Sequence, residues 1–68
     1  MAKQHYLSLQ PSELAVVNAA SNIYAAYITA GRVNTGEEKT WMERSIREAI
    51  QIAKTTDAAI QSDNEAGL

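Results

Sequence analysis

Apolar and polar positions divide the chain into two segments of helical period. From Leu14 to Ala30 the sequence LAVVNAASNIYAAYITA carries no charged side chain, and at about 100° per residue its only polar strip is narrow, formed by Asn18, Asn22 and Thr29. The rest forms two adjacent seams, one of Leu14, Val17, Ser21, Tyr24 and Ile28, the other of Val16, Ala20, Ile23, Tyr27 and Ala30. A helix with one neighbour needs an apolar stripe of about 100°. Two seams therefore call for two neighbours.

The signals at the ends place this helix at about 11–30. Pro11 suits a first helical position, where its missing N–H costs nothing, which makes Gln10 a poor N-cap and puts Glu13 where it favours the positive end of the helix dipole. Leu9 is spaced to pack on Leu14 as a hydrophobic staple. Gly31 can take the left-handed conformation that closes many helices.

A short connection, Gly31-Arg32-Val33-Asn34-Thr35, favours an antiparallel neighbour. Thr35-Gly36-Glu37-Glu38 then reads as a capping box between Thr35 and Glu38, starting a second helix at about 36–62. Its apolar side holds Trp41, Met42, Ile46, Ala49, Ile50, Ala53 and Ile60, with Ile52 and Ala59 widening it. Glu37, Arg44, Arg47, Glu48, Gln51 and Lys54 form a wet face. On it, Glu43 with Arg47 and Arg44 with Glu48 are spaced as i,i+4 ion pairs. Residues 1–10 show no helical period and read as an irregular arm, with a short strand paired to its own copy as the alternative. Residues 63–68 read as a frayed polar tail.

The expected fold is thus all-α: one small domain over 1–68, an antiparallel two-helix hairpin. At 68 residues the chain is in the range where a lone core rarely supplies more than about 3–5 kcal/mol. Zero cysteines leave neither a disulfide nor a thiolate zinc site as reinforcement. Dimerisation into a four-helix bundle is the remaining common remedy, and it would cover both seams. The seam assigned to the dimer interface is Val16, Ala20, Ile23, Tyr27 and Ala30.

Candidate chemistry is sparse. Asn18, Asn22, Ser21 and Thr29, with alanines where leucines would be needed, argue against a spanning helix. Met1–Gln10 lacks the apolar core of a secretory signal, so the expected location is cytoplasmic. His5 is the only histidine and has no partner at catalytic or ligand spacing, so neither a catalytic residue, a metal nor a cofactor is expected. Asp57, near the edge of the apolar arc, could bond a tyrosine hydroxyl or an Asn amide across an interface.

Two further surfaces carry alternatives to a non-enzymatic homodimeric interaction or scaffold protein. Arg44, Arg47 and Lys54 make a basic stripe that could meet nucleic acid, although Glu43 and Glu48 flank it, the net charge is −2, and the aromatic side chains lie elsewhere. Tyr24, Tyr27 and Trp41 come together near the loop of an antiparallel hairpin. There they could line a small-molecule pocket, or serve as core with their polar tips at the rim.

Overall fold

In the structure, a computed structural model that describes residues 9–65 and their side chains through residue 61, two helices pack against each other as a hairpin: α1, Pro11–Thr29, and α2, Glu38–Glu65. Most of the expected arm, His5 included, lies outside the described residues.

α1 begins as its sequence suggests. Gln10 is extended at φ −71 and ψ 156, its carbonyl accepts the Leu14 N–H at 2.9 Å, and its own N–H donates to the Glu13 carboxylate at 2.8 Å. Glu13 thus satisfies a backbone donor as well as facing the dipole. At the far end Gly31 takes φ +74. This lets the Gly31 N–H bond the Ile28 carbonyl and the Arg32 N–H bond the Tyr27 carbonyl, both at 3.0 Å, the paired bonds of a Schellman closure.

The start of α2 departs from expectation. Gly36 adopts φ +93 inside a turn closed by the Glu37 N–H on the Asn34 carbonyl at 2.9 Å, so no helix can begin there. Glu37 becomes the cap instead, its carbonyl accepting the Trp41 N–H at 3.1 Å. One of its carboxylate oxygens accepts from the Asn34 backbone at 3.3 Å, the Asn34 amide at 3.1 Å and the Trp41 indole at 3.4 Å. Glu38 turns back to the Gly36 N–H at 2.9 Å. The Thr35–Glu38 capping box does not form. α2 also runs past 62, because no Gly or Pro interrupts Glu38–Glu65; residues 63–65 of the expected tail are helical.

The contact between the helices is made by small residues. Ala20 on α1, and Ser45 and Ala49 on α2, are the buried positions among those described, and the absence of bulk there lets the two backbones approach. The Ser45 hydroxyl, 1% exposed, donates to the Trp41 carbonyl one turn back at 2.8 Å, so its burial leaves no unmet polar atom.

This contact decides which seam of α1 faces inward. The seam assigned to a second copy turns toward α2: Ala20 is buried, Val16, Ile23 and Tyr27 are half-buried, and Ala30 alone is exposed. The other seam is left open, with Leu14, Val17, Ser21 and Ile28 exposed and Tyr24 half-buried. The reason is the burial of the small residues Ala20, Ser45 and Ala49 between the helices, together with the Glu48 carboxylate that Tyr27 meets on α2. Among the described residues no helix is long and apolar enough to cross a membrane.

Candidate functional site

The hairpin presents two flanks of different chemistry. One is built on Tyr27, in the last turns of α1, and on Trp41, Arg44 and Glu48, which follow one another at three- and four-residue steps on α2. The rings of Tyr27 and Trp41 meet with centroids 4.7 Å apart and planes tilted by 52°, a favoured aromatic arrangement. The Tyr27 hydroxyl donates to the Glu48 carboxylate, 2.7 Å from Oε1 and 2.9 Å from Oε2. Glu48 Oε2 also accepts from Arg44 Nε at 3.2 Å. The Arg44 guanidinium carbon stands 5.3 Å from the Trp41 ring centre and 5.7 Å from that of Tyr27, and Arg32 reaches over Trp41 at 5.8 Å, within cation–π range.

These contacts set the ionisation of the group. The hydrogen bond from Tyr27, with the bond and charge of Arg44 behind it, holds the Glu48 carboxyl below its usual range. The same bond to Glu48, then loss of hydration and the carboxylate's charge, raises the Tyr27 hydroxyl. Arg44 is raised chiefly by its bond to Glu48. Both Tyr27 and Glu48 are thus carried away from neutral pH, the opposite of what general acid–base chemistry requires. The arrangement acts as a clasp joining the loop ends of the two helices.

This geometry redistributes the candidate residues. Arg44 remains exposed but its charge is paired with Glu48 in the clasp, beside the exposed Arg47 and Lys54, with Gln51 bonded along the helix to Thr55 at 3.3 Å. Arg44–Glu48 is the one ion pair among the described residues; Glu43 and Arg47 do not pair. Glu48, expected in the wet face, is half-buried. Tyr27 and Trp41 stack together while Tyr24 lies on the opposite flank, so the three do not line a common pocket. Asp57 accepts from Gln61 of its own helix at 3.1 Å and bonds no tyrosine or Asn.

The second flank is apolar, and the first is apolar too beyond the clasp, where Ile52 and Ile60, 54% and 55% exposed, stand beside a groove of about 420 Å³ lined also by Val16, Ala19 and Ala53. On the second, Leu14, Val17 and Ile28 from α1, and Met42, Ile46 and Ile50 from α2, stand side by side with exposures from 39% at Ile50 to 52% at Ile28. Between the two rows runs a groove of about 260 Å³ lined by the small residues Ala20, Ser21 and Ser45 and by Val17, Tyr24, Met42 and Ile46. It continues toward the open end of the hairpin past Leu9 and Ile50. The groove is open along its length, unlike the clefts that enclose most of a small molecule's surface.

Ser45 and the Tyr27–Glu48 bond were not singled out in the sequence. The signal for Ser45 was the run of small residues Ser45, Ala49 and Ala53 at four-residue steps, which marks the line of closest approach between helices. No protein-family model, curated protein or solved structure matches the chain.

Proposed function

We propose that the chain is a non-enzymatic helical interaction module that works as a homodimer, its apolar flank completed by a second copy to make a four-helix bundle. The observation that carries this is the mismatch between the two sides of α1. Among the described residues only Ala20, Ser45 and Ala49 are buried, whereas six large apolar side chains on one flank remain about half exposed, with Ile52 and Ile60 exposed elsewhere on α2. Fully burying such a side chain contributes about 1.5–3 kcal/mol, so covering the remaining half of twelve of them in a dimer amounts to roughly 9–18 kcal/mol gross. Association costs about 4–15 kcal/mol. A dimer is therefore energetically within reach, and contiguous exposed apolar surface of this kind marks interaction sites.

Sedimentation equilibrium tests the reading. The expected result is twice the 7.4 kDa chain mass at micromolar concentration, falling to the single-chain mass when Val17→Glu and Ile46→Glu together place charge on the flank. A wild-type chain that sediments at its own mass throughout the micromolar range overturns it.

A further inference from the structure

We infer that two copies pair in opposite directions, loop end against open end, about a twofold axis passing beside Val17, so that Leu14 of each copy seats beside Ser21 in the groove of the other. This rests on the self-association proposed above and adds the surface and the orientation. Three features carry it.

The first is shape. The groove is lined by the small residues Ala20, Ser21 and Ser45, and the exposed Leu14 stands two helical turns from Ser21, about 10 Å along α1 at about 1.5 Å per residue. Reversal of one copy about an axis midway between Leu14 and Ser21 brings each leucine onto the other's groove. Pairing in the same direction sets leucine against leucine and groove against groove. Only the reversed pairing is self-complementary.

The second is length. α1 has 19 residues and α2 has 28. The helices are level at the loop, where Tyr27 meets Trp41, so α2 outruns α1 at the open end by nine residues, about 13 Å. An axis beside Val17 lies near the middle of the whole hairpin, and the projecting end of each α2 then runs alongside the loop end of the other copy. Same-direction pairing leaves both ends projecting together.

The third is charge. Beyond Lys54 the α2 sequence contains Asp57, Asp63 and Glu65 and no basic residue, whereas toward the loop Arg32, Lys39, Arg44 and Arg47 are balanced by Glu37, Glu38, Glu43 and Glu48. Reversal separates the two acidic ends and sets each beside the charge-balanced loop end of the other copy; same-direction pairing brings the two acidic ends together.

The absence of cysteine from the sequence allows a direct test by single-cysteine cross-linking of the full chain, alongside sedimentation and helical content by circular dichroism. An equimolar mixture of Leu14→Cys and Ser21→Cys chains is expected to yield the mixed disulfide as the main product on mild oxidation. Ile28→Cys is expected to form no disulfide with itself, because the two sites lie about 30 Å apart along the bundle. A dimer in which Ile28→Cys cross-links to itself overturns the orientation and leaves self-association standing. A dimer that gives neither product overturns the choice of flank. A chain that sediments as a monomer overturns the inference together with the reading beneath it.

Discussion

Ala49 is the most informative position to disturb, because it is 1% exposed and, with Ala20 and Ser45, is one of the positions buried between the helices. Ala49→Leu adds three carbon atoms to a site whose neighbours on the same line are Ser45 and Ala53. Overpacking of this kind typically costs about 1–3 kcal/mol, and a chain this small has about 3–5 kcal/mol to lose. For a domain of about 60–100 residues each kcal/mol shifts Tm by roughly 4–8 °C, so the expected fall lies between about 4 and 24 °C. Thermal unfolding followed by far-UV circular dichroism measures it, at one fixed chain concentration, since a dimer's Tm depends on concentration. Ala58→Leu supplies the control: the same chemical change at an exposed position of the same helix, expected to stay within about 0.5 kcal/mol of wild type. If Ala49→Leu unfolds no lower than Ala58→Leu, the helices are not in close contact at Ala20, Ser45 and Ala49. The assignment of the inner seam would then fail.

Other perturbations address the remaining links. Gly31→Ala places a side chain at φ +74 with open space around it, so the cost is conformational alone, about 1–2 kcal/mol, and Gly31→Asn is expected to recover part of it in the same melt. The Glu48 carboxyl is held down mainly by Tyr27, so its contribution to stability is present above the ordinary carboxylate pKa and lost as pH falls through the lowered one. Tyr27→Phe is accordingly expected to flatten the acid limb of a Tm-against-pH profile, and an unchanged limb would show that the hydroxyl bond does not hold Glu48. Because the Tyr27 pKa is raised, its own contribution is present below a pH of about 10 and is lost as pH rises through the raised value; the alkaline limb should also flatten in Tyr27→Phe. Arg44→Gln removes a cation from beside Trp41 and is expected to change the intrinsic tryptophan fluorescence of the folded chain, whereas Arg47→Gln, on the exposed face, should leave that spectrum as it is.

Two helices, their antiparallel relation and the closure of the first at Gly31 were legible because each rests on local chemistry: period, Pro11, Glu13 and a glycine free to take positive φ. The start of the second helix was not, since Gly36 can serve either a capping box or a turn, and the choice depends on whether Glu37 finds donors at Asn34 and Trp41, a matter of geometry. The same limit explains the exchange of seams. Hydrophobicity ranks Leu14, Val17 and Ile28 as better candidates for burial than Ala20 and Ser45, yet two helices in a short hairpin approach most closely along small residues, and the large ones are displaced to the flank. Counting apolar positions therefore shows that α1 has two surfaces to cover, whereas side-chain size determines which of them its own partner helix can reach. The bulky surface is the one left exposed on the flank, because it is too broad for the narrow contact that Ala20, Ser45 and Ala49 permit.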